Sequence, residues 1–337
     1  MNPRSRLLVT TLIAAFLAVS FGCRTETDND DSVILRREWL PNAEFAGDVW
    51  AARIARERGF QLQVKPGGEL IDPIKEVRAG AAHFGVASAD RVLRENEAGA
   101  GLVIVAAATY RSPVVFLTKP ESGIMTAQGF VEHTIGIQAG TNTELVFDAL
   151  LKVIGLTRKQ MHVVESGWGT ANFESNALDV LAAFDYDEPV QLAMKNVRIN
   201  PPIEPRDYGV DLIGTVYFTR KQLIDKKPKL VQKFVSALVD GWHHALRNRP
   251  EAIAMVKTQF KDINEKKELR SLERGAVYFA GEGGHPLYAS AARYQKMVAT
   301  LIDLGKIRRE SAQSVSFEQC VDYRFLQNAT LEESVRR

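Results

Sequence analysis

Short extended segments alternate with helical segments along this chain, and the same rhythm occurs twice. In the first unit, a helical stretch over 46–58 precedes residues 60–64, which alternate apolar and polar side chains as a strand does. In the second unit, a strand at 135–137 leads through a turn into a helix over 144–154, which Gly155 ends. Because strands that alternate with helices build a parallel sheet covered by helices, the pattern predicts two similar α/β lobes.

Two apolar runs, 114–118 and 212–219, are predicted to connect these lobes. The first run carries the chain out of the first lobe and the second carries it back, so we expect them to pair as a two-strand hinge. The predicted first lobe is therefore discontinuous and consists of 32–115 and 218–330, whereas residues 116–217 form the second lobe.

The N-terminal segment predicts export. Two arginines precede an apolar run over 7–21, which is too short to span a bilayer and is typical of a secretory leader, so 1–22 is a predicted signal peptide. Ser20-Phe21-Gly22-Cys23 resembles the bacterial lipobox, in which the leader is cut before a cysteine that becomes lipid-modified. Cys23 is therefore the predicted lipid attachment, with ordinary cleavage and a plain thiol as the alternative. The polar segment 23–31 is predicted to be a flexible tether to the membrane.

Composition limits the classes of partner. The 337 residues are 45% hydrophobic and 25% charged with a net charge of +2, and the basic residues form no stripe, so nucleic acid is not expected as a partner. Cys23 and Cys320 are the only cysteines, which excludes a disulfide framework and leaves Cys320 as a predicted buried apolar residue. Neighbouring histidines at 243 and 244 lack further ligands at suitable spacing, so no metal site is predicted.

The block over 38–47, Glu-Trp-Leu-Pro-Asn-Ala-Glu-Phe-Ala-Gly, resembles the opening of the NMT1/THI5-like family of periplasmic solute-binding proteins, whose pattern is roughly W-x-P-N-x-x-H-x-G. The similarity continues in short pieces through most of the mature chain: 66–68, 72–73, 77–86, 140–141, 188–189 and 241–250. The resemblance implies a bilobal, type II binding-protein fold with mixed sheets that closes on a small ligand and presents it to an ABC permease in the inner membrane. Members bind pyrimidine precursors of thiamine, and most such receptors work as monomers.

An aromatic ligand needs flat apolar faces and a few polar partners at its edge. Trp39 follows a predicted parallel strand, where open α/β sheets place their ligands, and is the first candidate for stacking. Asn42 can donate and accept at once, although it can instead cap the helix that follows. Further residues at predicted strand ends or turns are expected to face the crevice, with a place in the core as the alternative for the aromatic ones: Gly68, Ser88, Tyr110, Trp168, Phe173, Tyr186 and Tyr217.

Two further features bear on the ligand's polarity. Glu188 could accept a hydrogen bond from a ligand amine or lie in a solvated turn. Gly140, Thr141 and Asn142 are predicted to offer backbone N–H groups at a helix start, which would suit a sulfonate, phosphate or carboxylate. Phe45 stands where the family pattern often has histidine, and this exchange predicts a site for a less polar ring.

The sequence therefore predicts a binding lipoprotein of an ABC importer that captures a small aromatic ligand of pyrimidine type, without a cofactor or catalysis of its own. Three alternatives stay open: a binder of sulfonate or nitrate, a THI5-like enzyme of pyrimidine synthesis, and a sensor that reports occupancy to a membrane receptor. Export, Phe45 and the presence of only two cysteines disfavour the enzyme, because the fungal enzymes use a histidine and a cysteine-rich motif.

Overall fold

The computed structural model describes residues 32–167 and 169–329. The predictions for the signal peptide, for lipid attachment at Cys23, for the tether and for Trp168 lie outside these residues. Within them, no helix combines the length and the apolar character that crossing a membrane requires.

The strands of the described residues form two separate sheets. Their bounds are β1 (Ser32–Arg36), β2 (Gln61–Lys65), β3 (Phe84–Ser88), β4 (Leu102–Ala107), β5 (Val114–Thr118), β6 (Thr134–Ile137), β7 (His162–Glu165), β8 (Val180–Phe184) and β9 (Thr215–Arg220). The first sheet has the order β2-β1-β3-β9-β4, and the second has the order β5-β8-β6-β7.

Both sheets are mixed. In the first, β1 runs parallel to β2 and β3, whereas β9 is antiparallel to both β3 and β4. In the second, β6 runs parallel to β7 and β8, and β5 is antiparallel to β8. The predicted fold class, α/β with two mixed sheets flanked by helices, is confirmed.

Helices cover the sheets, and α1 and α4 end within one residue of the predicted position. The bounds are α1 (Ala46–Glu57), α2 (Pro73–Ala79), α3 (Ala89–Glu97), α4 (Asn142–Ile154), α5 (Ala171–Glu174), α6 (Glu188–Met194), α7 (Lys221–Lys226), α8 (Pro228–Arg247), α9 (Arg249–Gln259), α10 (Glu265–Phe279), α11 (Ala291–Asp303) and α12 (Phe317–Cys320). Gly80 and Gly155 follow α2 and α4 in the left-handed conformation and close the last turn of each helix.

Helices α1 and α8 approach each other closely because glycines lie at their contact. A Cβ atom at Gly241 would lie 2.4 Å from the carbonyl oxygen of Gly47, and one at Gly47 would lie 2.2 Å from the Trp242 ring. Trp242 is fully buried and donates its indole N–H to the Tyr217 hydroxyl at 2.8 Å. Trp242 is therefore part of the core, and its spacing from Leu230, Phe234 and Leu238 places it on the same apolar stripe of α8.

The chain passes twice between the sheets, after β4 and before β9. The two connecting segments lie side by side, with Thr109 N–H donating to the Thr215 carbonyl at 3.1 Å and Ser112 N–H donating to the Leu212 carbonyl at 2.6 Å. The predicted two-strand connection is present, but its hydrogen bonds are not between 114–118 and 212–219. Those residues continue into different sheets, because β5 pairs with β8 and β9 inserts between β3 and β4.

Candidate functional site

A cavity of about 270 Å³ lies between the two sheets. Its walls come from segments that follow β1, β3, β6 and β8, so the carboxyl ends of strands supply most of them, as in open α/β folds generally. Its lining residues are Arg37, Glu38, Trp39, Asn42, Glu44, Gly68, Glu69, Ile71, Val86, Ser88, Arg91, Pro113, Gln138, Gly140, Thr141, Asn142, Phe184, Tyr186, Asp187, Glu188, Gly214 and Thr215.

A tight backbone contact holds Trp39 on the cavity wall. Gly67 N–H donates to the Trp39 carbonyl at 2.8 Å, and Gly68 N–H donates to the Glu38 carbonyl at 3.1 Å. A Cβ atom at Gly67 would lie 2.2 Å from the Glu38 carbonyl, so only glycine permits this approach. The half-buried indole of Trp39 therefore projects from a braced segment instead of a free loop.

Asn42 caps a helix and also lines the cavity. Its side-chain oxygen accepts a hydrogen bond from Glu44 N–H at 3.0 Å and caps the short helix that precedes α1. The same side chain belongs to the cavity wall.

A buried charge network lies behind this wall. The Arg37 guanidinium, whose side chain is 2% exposed, contacts the carboxylates of Glu44 at 2.7 Å and Asp48 at 3.1 Å. Tyr186 donates its hydroxyl to Glu44 at 2.7 Å, and Tyr217 donates its hydroxyl to Asp48 at 2.5 Å. Burial raises the pKa of Asp48 to about 6 even though Arg37 acts in the opposite direction.

A second network lines the cavity near Ser88. The Glu38 carboxylate accepts from Ser88 N–H at 3.0 Å and forms an ion pair with Arg91, which also contacts Asp72 at 3.4 Å. Burial raises the pKa of Glu38, and the ion pair with Arg91 opposes that shift. Both guanidinium groups on the cavity wall, those of Arg37 and Arg91, are thus each held by two carboxylates.

The start of α4 differs from the prediction of exposed backbone donors. Gly140 N–H donates to the Glu144 carboxylate at 2.8 Å, and Ala139 N–H donates to the Glu165 carboxylate at 3.0 Å. Because the protein's own carboxylates accept these hydrogen bonds, a ligand anion would have to displace them. Gly140 and its neighbours still line the cavity, but as a wall whose N–H groups at 139 and 140 are already used.

Glu188 is the carboxyl group on the cavity wall whose pKa changes most. It is 9% exposed and accepts a hydrogen bond from Phe184 N–H at 2.8 Å. Burial, reinforced by the neighbouring Asp187 carboxylate, raises the pKa of Glu188 to about 8. Asp187 itself forms an ion pair with Lys267 of α10. At neutral pH the Glu188 carboxyl group is therefore mostly protonated and both donates and accepts hydrogen bonds.

Glu188→Gln is expected to make the protein more stable above neutral pH. Between the ordinary pKa of glutamate and about 8, the folded protein holds a proton that the unfolded chain releases, so stability falls as pH rises through this window. Glutamine keeps an acceptor for Phe184 N–H but cannot ionise. The variant should match the wild type near pH 4, and its advantage in the free energy of unfolding should grow to the order of 3 kcal/mol at pH 7 in urea unfolding.

Glu69→Gln provides the matched control, because Glu69 lines the same cavity but is exposed. This variant should retain the wild-type dependence of stability on pH. If Glu188→Gln shows the same slope as the wild type, the carboxyl group of Glu188 is ionised in the folded protein at neutral pH.

The structure brings together nine of the fourteen residues predicted to contact a ligand. The nine that line the cavity are Trp39, Asn42, Gly68, Ser88, Gly140, Thr141, Asn142, Tyr186 and Glu188. Trp168 is outside the described residues. The remaining four residues, Phe45, Tyr110, Phe173 and Tyr217, do not line the cavity.

Three of these four side chains belong to the core. Phe45 is fully buried, with its ring edge-on to Phe260, so the histidine-to-phenylalanine exchange does not change the polarity of the cavity. Phe173 is fully buried in an apolar cluster behind the second sheet. Tyr217 points from β9 into the core, where its hydroxyl is held between Asp48 and the Trp242 indole. They were predicted to lie at strand ends or in loops, but Phe45 and Phe173 lie in helical turns and Tyr217 lies inside β9.

Tyr110, the fourth of these residues, lies in the connecting segment that follows β4. The guanidinium groups of Arg111 and Arg293 lie 5.6 and 5.0 Å from its ring centroid. Its ring faces are thus used for cation–π contacts, and the residue is absent from the cavity wall.

Several polar residues of the cavity wall were not predicted: Arg37, Glu38, Glu44, Arg91 and Gln138. The sequence could have indicated Arg37 and Glu38 as cavity residues, because they follow the end of the same strand as Trp39. Within 32–167 and 169–329, no group of three or more histidine, cysteine, aspartate or glutamate side chains could hold a metal ion.

Comparison with known proteins identifies relatives of this chain. A family model described as NMT1/THI5 like matches residues 56–253, which is more than half of the chain. The riboflavin-binding protein RibY of Chloroflexus aurantiacus is 27% identical over 228 residues, which cover 65% of this chain and 64% of RibY. The matched region thus spans somewhat less than two thirds of that relative.

Solved structures share the fold at low sequence identity. The periplasmic aliphatic sulphonate binding protein SsuA from Escherichia coli superposes with a TM-score of 0.67 at 14% identity, covering 85% of this chain and 92% of SsuA. The desulfurization enzyme DSZB superposes with a TM-score of 0.62 at 14% identity, covering 90% of this chain and 99% of the enzyme. The same fold therefore occurs in proteins that bind and in one that catalyses.

Proposed function

This chain belongs to the NMT1/THI5-like family, and from that membership we propose that it is the substrate-binding component of an ABC importer. The single observation that carries the proposal is the cavity between two sheets that are joined by two adjacent segments of chain. Such a connection lets two lobes close around a ligand and reopen by small backbone rotations. The permease of the importer is the proposed partner, and the receptor is proposed to act as a monomer.

The proposed ligand is a small, flat heteroaromatic molecule of pyrimidine type. Trp39 offers an indole face for stacking, while Asn42, Glu188 and Glu44 offer polar groups for the edge of a ring. RibY is named for binding riboflavin, whose ring system contains a fused pyrimidine, and this relationship supports a ligand of that chemistry. The cavity volume of about 270 Å³ suits a molecule of one to three rings.

A sulfonate binder is the second candidate, because SsuA shares the fold. The cavity wall favours the heteroaromatic ligand, since it carries five carboxyl side chains and two guanidinium groups that are already paired.

An enzyme is the third candidate, because DSZB shares the fold as well. We propose that the chain releases its ligand unchanged, which mass spectrometry of the ligand after incubation would test.

Thermal unfolding with a panel of metabolites tests the proposed ligand class. Ligand that binds only the folded protein raises its stability by RT ln(1 + [L]/Kd), so a true ligand raises the Tm in proportion to the logarithm of its concentration. We expect riboflavin or an aminopyrimidine precursor of thiamine to raise the Tm and aliphatic sulfonates to leave it unchanged. A shift with sulfonates alone would overturn the proposed ligand class.

Export and anchoring complete the proposal. We propose that a leader over 1–22 directs the chain across the inner membrane and that Cys23 then carries the lipid that anchors it at the periplasmic face. Intact-mass measurement of the protein from a membrane fraction checks this, because an unmodified N-terminus beyond residue 23 would contradict it.

A further inference from the structure

We infer that Glu144 acts as an internal anion at the start of α4 and that, together with the acidic cavity wall, it makes this site reject oxyanions. The accepted ligands are then neutral or cationic molecules that present N–H or O–H donors. The inference rests on the proposed function only in treating the cavity as the ligand site. It names Glu144 as a specificity-determining residue.

The start of a helix ordinarily attracts anions, because its first N–H groups lack partners within the helix and its dipole is positive there. In this protein the Glu144 carboxylate accepts from Gly140 N–H at 2.8 Å, and the Glu165 carboxylate accepts from Ala139 N–H at 3.0 Å. Gly140 is itself part of the cavity wall. Both N–H groups lie just before Asn142, the first residue of the helix, and the one that belongs to the cavity wall, Gly140 N–H, is already used by the Glu144 carboxylate.

The Glu144 carboxylate is held in place from its other side. Its second oxygen accepts from the Arg158 guanidinium at 2.8 Å, and Arg158 also contacts Asp148 at 2.6 Å. Although partial burial acts in the opposite direction, the hydrogen bonds from Gly140 and Arg158 lower the pKa of Glu144. Glu144 is therefore ionised at neutral pH, and releasing Gly140 N–H to a ligand would break its charge-assisted hydrogen bond to a carboxylate that Arg158 holds in place.

The other charged side chains of the cavity wall do not favour an anion. Five carboxyl side chains line it, Glu38, Glu44, Glu69, Asp187 and Glu188, and of these Glu188 is mostly protonated at neutral pH. Both guanidinium groups of the wall are already held by carboxylates, Arg37 by Glu44 and Asp48, and Arg91 by Glu38 and Asp72. An incoming oxyanion would meet like charge without a free cation on this wall, whereas a ring that presents N–H groups would meet acceptors.

Matched ligand pairs test the selectivity of the wild-type protein. Riboflavin is compared with its phosphate ester, and a hydroxymethyl aminopyrimidine is compared with its phosphate ester, by calorimetry at low salt. In each pair the ring is the same and only the anionic group differs. We expect the neutral member of the pair that binds to have at least about tenfold higher affinity. Equal or tighter binding of the phosphate ester would overturn the inference.

Substitution of Glu144 tests the residue itself with sulfate and with the sulfonate buffer MOPS as probes. Glu144→Ala frees Gly140 N–H and removes a negative charge, so it should bind these anions at least about tenfold more tightly than the wild type. Glu144→Gln keeps an acceptor for Gly140 N–H and removes only the charge, so it should gain less. Glu121→Ala is the matched control, because it removes the same charge from an exposed position outside the cavity wall and should gain nothing.

The outcomes separate the inference from the proposed function. If no heteroaromatic compound binds the wild type but Glu144→Ala gains sulfate affinity, the proposed ligand class fails and the role of Glu144 stands. If heteroaromatic compounds bind but Glu144→Ala gains no more than Glu121→Ala, while circular dichroism shows a native fold, the role of Glu144 is wrong. Should Glu144→Ala not fold, the same criterion applies to Glu144→Gln.

Discussion

Replacing Trp39 by alanine is expected to remove most of the ligand-induced rise in Tm and to weaken binding by about tenfold to a hundredfold. The indole lies half-buried on the cavity wall, on a segment that the contact with Gly67 holds in place. Stacking of a heteroaromatic ring on an aromatic side chain contributes about 1–3 kcal/mol, which this change would forfeit. Calorimetry gives the affinity, and differential scanning fluorimetry gives the Tm with and without ligand.

The ligand-free Trp39→Ala protein should melt close to the wild type, because its backbone bracing does not depend on the indole. Leu40→Ala is the matched control, since Leu40 is the next residue, is 54% exposed and is not part of the cavity wall. It should bind ligand with wild-type affinity. Severe destabilisation of ligand-free Trp39→Ala would mean that the indole belongs to the core and that another group holds the ligand.

Replacing Arg37 by methionine is expected to destabilise the folded protein by about 3–5 kcal/mol at neutral pH. The change removes a buried cation and leaves Glu44 and Asp48 facing each other without their shared partner. Methionine is similar in length, so the loss comes from unpaired charge more than from a cavity. Urea unfolding followed by circular dichroism measures the free energy of unfolding directly.

The destabilisation of Arg37→Met should depend on pH. The pKa of Asp48 is already raised to about 6 with Arg37 present, and removal of the cation raises it further. The unfolded chain releases this proton at lower pH. The difference in the free energy of unfolding between wild type and variant therefore grows as pH rises and is smaller at pH 5. Arg53→Met is the control, because Arg53 is 45% exposed and its ion pairs lie at the surface. A uniform deficit at all pH values would argue against unpaired carboxylates as the cause.

Local sequence signals predicted much of the fold. Glycines after helices, as at Gly59 and Gly155, and short β-branched runs each fix structure within a few residues, so their elements appear nearly where expected. Strand β8 (Val180–Phe184) was not predicted, although its apolar run is as continuously buried as that of β5, which was predicted. Helix α10 (Glu265–Phe279) was also not predicted, although Asn264 caps it and its apolar residues have helical spacing.

The site was predictable in position but not in its polar detail. The rule that ligands lie beyond the carboxyl ends of strands predicted a crevice at Trp39, Ser88 and the start of α4, and all three line the cavity. The partners of buried charges come from distant parts of the chain, as when Tyr186 donates to Glu44, and no local pattern encodes such a pairing. Phe173 lies in helix α5 and Tyr217 lies inside strand β9, not at a strand end, and both side chains are buried in the core.

Strand β9 lies in the middle of the first sheet, between two strands that precede it by more than a hundred residues. During synthesis, β3 and β4 must wait with unpaired edges until residue 220 has emerged, because β9 alone joins them. The second sheet, in contrast, is built from one uninterrupted stretch of chain and has all its strands available much earlier. The order of the strands along the chain thereby limits the order of assembly. The sheet β5-β8-β6-β7 can form first, whereas the sheet that contains β9 can be completed only after β9 is available.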